Sequence, residues 1–145
     1  MAKQLNIFVE NRPGRLNSIT GILAESGLNI RAFTIQDRGD FGLMKLIVDQ
    51  PQKAYLVLAD RGFACALKDI IAIGIDDRPG NLHKLTSVLL EHQINVVDAY
   101  GFVIESNKRG ICCLEVDNIQ NNENLKQLIE KEGFTVLEEK DVYEI

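Results

Sequence analysis

The chain has 145 residues, 46% of them hydrophobic and 26% charged, the balance of a globular protein with enough apolar material to fill a core. Its formal net charge of −5 and its pI of about 5.0, with Lys and Arg scattered, exclude the basic footprint of a nucleic-acid binder. The start, Met1 to Ile7, lacks the apolar run of a secretory signal, and no stretch approaches membrane-spanning length; a cytoplasmic protein with neither a membrane nor a nucleic-acid partner is expected.

Leu5, Ile7 and Val9 recur with period two, which predicts a strand with one apolar face. Asn11-Arg12-Pro13-Gly14-Arg15-Leu16 follows. Proline presets φ for the first turn of a helix, and glycine lets the backbone turn tightly and leaves nearby N–H groups uncovered. Leu16, Ile19, Ile22 and Leu23 mark the buried stripe of a helix running to about Ser26 and stopped by Gly27. The segment Leu28–Asp37 reads as extended, and Arg38-Gly39-Asp40 as the hairpin into a strand carrying Gly42, Met44, Leu46 and Val48. A second helix over about Gln52–Arg61, with Tyr55 and Leu58 inward, closes into Gly62-Phe63 and a last strand, about Phe63–Leu67.

The series then restarts. Ile71, Ile73 and Ile75 lead into Asp77-Arg78-Pro79-Gly80-Asn81-Leu82 and a helix to about Gln93 with Leu82, Leu85, Val88 and Leu89 inward. Next come extended Ile94–Ser106, the connection Asn107-Lys108-Arg109, and a strand with Gly110, Cys112, Leu114 and Val116. A helix over about Asn122–Lys131, with Leu125, Leu128 and Ile129 inward, ends in Gly133-Phe134 and a final strand. Pro13 and Pro79 stand 66 positions apart, and that offset also pairs Arg12 with Arg78, Gly14 with Gly80, Leu23 with Leu89 and Asn29 with Asn95. After the hairpins the offset becomes 68, so two extra residues fall in a loop.

Strand, helix, strand, strand, helix, strand, twice over, is an α+β chain of two ferredoxin-like βαββαβ domains, 1–67 and 68–145. Antiparallel sheets with helices on one face are expected, with the sheets open to side-by-side association. Cys65, Cys112 and Cys113 form neither a disulfide framework nor a zinc motif and read as small apolar strand residues. His83 and His92, the two histidines, read as surface residues of a helix with no convergent acid, base or nucleophile set. No enzyme, cofactor or metal is expected.

In these features the chain resembles the ACT domain, a small-molecule-sensing module of amino-acid-metabolic enzymes and their regulators. The likeness rests on the two Arg-Pro-Gly-x-Leu turns and on Gly27-Leu28-Asn29-Ile30 and Gln93-Ile94-Asn95-Val96, where an asparagine stands 18 positions after Asn11 and after Asp77. It implies an amino acid held between the strand-to-helix turn of one domain and the start of the second strand of a neighbour. In the first repeat the implied set is Asn11, Arg12, Pro13, Gly14, Arg15, Leu16, Asn29 and Ile30; in the second it is Asp77, Gly80, Asn81, Leu82, Asn95 and Val96. A helix N-terminus suits a ligand carboxylate. Ionised Asp77 only accepts and favours an ammonium group, so the two sites are expected to be unequal, with the first repeat the place to look for ligand. Some family members carry histidine where this chain has Val9 and Ile75, which argues against serine specificity. Structural roles compete with binding: Asn11 as a helix cap, Asn29 as a turn holder, and the glycines as requirements of the turn.

The expected function is a tandem regulatory protein that binds an amino acid or similar metabolite and signals through domain or subunit interfaces. A homo-oligomer, most simply a dimer, and a metabolic-enzyme partner are expected. The alternative is a structural subunit that pairs with an amino-acid-biosynthetic enzyme without binding ligand.

Overall fold

Each repeat opens with a strand that meets its helix at a left-handed glycine, Gly14 at φ 90° and Gly80 at φ 91°. The computed structural model describes residues 1–119 and 124–145. In the first repeat β1 (Ala2–Glu10), α1 (Arg15–Glu25), β2 (Ile30–Asp37), β3 (Phe41–Val48) and α2 (Pro51–Asp60) lead to β4 (Ala64–Asp76). The second continues through α3 (Asn81–Glu91), β5 (Val96–Glu105), β6 (Arg109–Val116), α4 (Leu125–Lys131), β7 (Thr135–Val136) and α5 (Glu139–Tyr143). The Asn122 start expected for the fourth helix lies outside the described residues.

The chain divides into two compact units, Lys3–Lys68 with Lys140–Ile145, and Asp69–Glu139 with Met1–Ala2. The segment Lys140–Ile145, which the repeat groups with the second copy, packs in the first unit. Its Val142 is fully buried. Arg31 donates to the carbonyls of Tyr143 at 2.7 Å and Ile145 at 3.1 Å. The two strands expected around residues 63–75 are one continuous strand, β4, whose residues up to Lys68 belong to the first unit and the rest to the second.

In the first unit the strand order is β2-β3-β1-β4. Antiparallel β1–β3 register sets Leu5 opposite Leu46 and Ile7 opposite Met44. These period-two residues face Ile19 and Leu23 of α1 and Ala54 and Leu58 of α2, all buried in one core cluster. The second unit repeats the scheme in the order β5-β6-β4-β7. Ile71 and Ile73 on β4 and Cys112 and Leu114 on β6 pack under Leu85, Leu89, Leu125 and Ile129. Each fully buried Leu or Ile contributes about 1.5–3 kcal/mol. All three cysteines are unpaired strand residues, Cys112 and Cys113 buried. No described helix is long and apolar enough to cross a membrane.

Candidate functional site

The strand-to-helix turns are built alike and used differently. In both, the left-handed glycine is the residue that precedes the helix, and neither helix has a side-chain cap. Asn11 therefore does not cap α1. Its Nδ2 instead donates to Asp37 Oδ1 and to the Gly39 carbonyl, both at 3.0 Å, tying the turn to the β2–β3 hairpin. In the second repeat the position of Asp37 is held by Val103, and Asp77 Oδ2 accepts the Asn107 N–H at 2.7 Å. The other Asp77 oxygen has no partner among the described residues.

The arginines differ for the same reason. Glu10 takes both Arg12 at 2.5 Å and Arg15 at 3.7 Å, and Arg15 also lies 5.0 Å from the centroid of the Phe63 ring. The corresponding second-repeat residues are Asp76, Arg78 and Asn81. Asn81 donates to the Asp76 carbonyl at 3.0 Å, and the exposed Arg78 side chain forms no ion pair with a described residue. Arg78 is left available where Arg12 is engaged.

The start of each second strand is hydrogen-bonded to the residue that follows the third strand. The Asn29 N–H donates to Asp49 Oδ1 at 3.1 Å, and its carbonyl accepts the Asp49 N–H at 3.1 Å. Asn95 is held more tightly, its Nδ2 donating to Asp117 Oδ2 at 2.7 Å. Ile30 packs on the first core and Val96 on the second. Pro13 and Leu16 lie on the exposed face of the first turn.

A cleft of about 570 Å³ opens in the second repeat. One side is Ile75, Asp77, Arg78 and Leu82; the other is β5 from Ala99 to Val103, with Gly110 to Cys112 of β6 as the floor. Among the residues selected from sequence it gathers Asp77 and Leu82; Gly80, Asn95 and Val96 do not line it. Asn81 lines a neighbouring cleft of about 240 Å³ with Lys84 and Arg109. Sequence reasoning passed over Arg78, Ala99, Gly101 and Val103. The signal for the last three lay in the repeat itself, which sets them opposite Phe33, Ile35 and Asp37. Beneath the cleft, burial pushes the Cys113 thiol up to about 12, with the neighbouring Cys112 adding to the rise and a hydrogen bond from Tyr100 opposing it. Burial likewise raises the Tyr100 hydroxyl. Neither group ionises near neutral pH. No cluster of three metal-ligating side chains occurs among the described residues.

Comparison with solved structures finds protein BT0572 from Bacteroides thetaiotaomicron, 30% identical with a TM-score of 0.89, covering 99% of this chain and 96% of that one. The ligand-free regulatory subunit of aspartate kinase from Thermus thermophilus is 17% identical with a TM-score of 0.66, covering 90% and 92%. The same subunit from Thermus flavus is 18% identical with a TM-score of 0.63, covering 90% and 91%. These two share the fold. No curated protein sequence matches the chain. The family model of the ACT domain pair matches residues 1–145, and the chain belongs to that family.

Proposed function

We propose that this protein is a non-catalytic regulator that binds an amino acid at its strand-to-helix turn and passes occupancy to a partner through a domain or subunit interface. The observation that carries the reading is the pair Asp77 and Arg78, one anionic and one cationic side chain with unused hydrogen-bonding capacity at the mouth of a cleft. An α-amino acid presents the complementary pair, an ammonium and a carboxylate, within one small group. The left-handed Gly80 adds the positive end of α3 beside them. Signalling then follows from linkage, because a ligand that binds one arrangement better shifts the population toward it. A homo-oligomer and an enzyme of amino-acid metabolism are the partners this reading calls for, and a cytoplasmic location fits it.

Calorimetric titration of the twenty amino acids tests the reading. Binding of at least one is expected, and silence across all twenty contradicts it. A second reading, a structural subunit that needs no ligand, is favoured by Phe33 and Ile35, which are 62% and 47% exposed on the edge strand β2. Affinity capture separates the two: a structural subunit recovers one stoichiometric enzyme whether or not amino acids are present.

A further inference from the structure

The two repeats share one pairing register on β2 and β5. Phe33 opposes Leu46 and Ile35 opposes Met44, while Ala99 opposes Leu114 and Gly101 opposes Cys112. Even the bulge recurs, between Ile30 and Ala32 and between Val96 and Asp98. Phe33 and Ala99 are thus one structural position, and Ile35 and Gly101 another. Both point to the helix side of the sheet, because their opposite residues Met44, Leu46, Cys112 and Leu114 belong to the cores.

The consequence is a pair of apolar side chains present in one repeat and missing in the other. A methyl group placed on Gly42 would meet the Gln36 carbonyl oxygen at 3.2 Å, Val9 Cγ2 at 3.3 Å and Ile35 Cγ1 at 3.8 Å. On the equivalent Gly110 the nearest atoms are the Phe102 carbonyl oxygen at 3.2 Å, Ile75 Cγ1 at 3.7 Å and Val103 Cα at 3.9 Å. Beside Gly42 the first repeat carries Ile35, whereas beside Gly110 the second has Gly101, which adds no side chain and lines the cleft. Around it stand Ile75, Leu82, Ala99 and Val103, and its charged groups are Asp77, Arg78 and the neighbouring Asp76.

We infer that the second repeat alone carries the ligand site, that Ala99 and Gly101 admit the ligand, and that the ligand is an α-amino acid with a bulky apolar side chain. This rests on the amino-acid-binding reading above and narrows it. Asp77 takes the ammonium, Arg78 takes the carboxylate, and the side chain lies on the apolar wall that a polar side chain would desolvate without a partner. The first repeat cannot serve in the same way. Its Asn11 amide is bonded to Asp37 and Gly39, its Arg12 is paired with Glu10, and Ile35 stands beside Gly42 where the second repeat has Gly101.

The test is calorimetry on the full chain with leucine, methionine and phenylalanine against glycine, aspartate and lysine. The wild type is expected to bind an apolar amino acid at one equivalent per chain. Ala99→Phe, which installs the first repeat's residue at an exposed strand position, is expected to abolish that binding while the melting temperature holds. Ala99→Leu is a milder filling and is expected to weaken binding to the bulkiest ligand most. Binding by glycine, aspartate or lysine in preference, two equivalents per chain, or wild-type affinity in both Ala99 variants overturns the inference and leaves the sensing reading standing. Absence of binding by any of the twenty amino acids overturns both.

Discussion

Replacing Asp77 with asparagine separates its two roles. In the wild type Oδ2 accepts the Asn107 N–H at 2.7 Å and holds the β5–β6 connection to the turn. The asparagine carbonyl oxygen can accept the same N–H, so the connection survives with a neutral hydrogen bond in place of a charged one, a difference of about 1 kcal/mol in stability at most. What asparagine cannot supply is the negative charge. A charge-assisted hydrogen bond to an ammonium contributes about 1.5–3 kcal/mol when well desolvated. Asp77 is half-exposed, and solvent screening holds the effect to the lower end of that range. At about 1.4 kcal/mol per factor of ten, Asp77→Asn should weaken amino-acid binding about tenfold. Asp77→Ala should weaken binding equally and also cost about 1–2 kcal/mol of stability, because the Asn107 N–H loses its acceptor. Calorimetry supplies the affinities and urea denaturation the stabilities. An Asp77→Asn variant that binds like the wild type, or that loses affinity only as far as it unfolds, would refute the assignment.

Gly80→Ala should cost about 1–2 kcal/mol in urea denaturation, since the position has φ 91° and a side chain there meets open space, leaving backbone strain as the whole effect. Truncation after Glu139 should destabilise the first unit by about 3 kcal/mol, from exposure of the Val142 pocket and loss of the two carbonyls that Arg31 donates to; hydrogen exchange localised to β2 would report it. The Cys113 thiol is raised from 9.0 to about 12, so the folded state holds its proton longer than the unfolded state does. Its contribution is intact below about pH 9 and is lost as pH rises toward 12. Melting temperature should therefore fall less steeply over that window in Cys113→Ala than in the wild type.

Periodicity made the fold legible. Leu5, Ile7 and Val9 face the helices because a strand alternates, and Leu85, Val88 and Leu89 face the sheet because a helix turns every 3.6 residues; both are local rules. The turn glycines were legible because Gly14 and Gly80 stand where only a left-handed residue lets the strand enter its helix. The continuity of β4 was not, since nothing local distinguishes a strand that ends near Leu67 from one that continues. Nor was the placement of Lys140–Ile145, which depends on Arg31 finding carbonyls more than a hundred positions away. The site was legible in outline only. Sequence marks Asn11, Asn29 and Asn95 as polar groups, but not that Asn95 bonds Asp117 or that Asn11 bonds Asp37 and Gly39, contacts made across the fold. Ala99 and Gly101 line the cleft where the first repeat has Phe33 and Ile35, and absent side chains give no motif; only comparison of one repeat with the other brings them out.

The most direct measurement is a titration of the ¹⁵N-labelled chain with leucine followed by amide chemical shifts. The account predicts saturable shifts at Asp77, Arg78, Leu82 and along Ala99–Val103, with the amides of Asn11, Arg12, Phe33 and Ile35 unmoved. Shifts centred on the first turn, or equal shifts in both repeats, would contradict it.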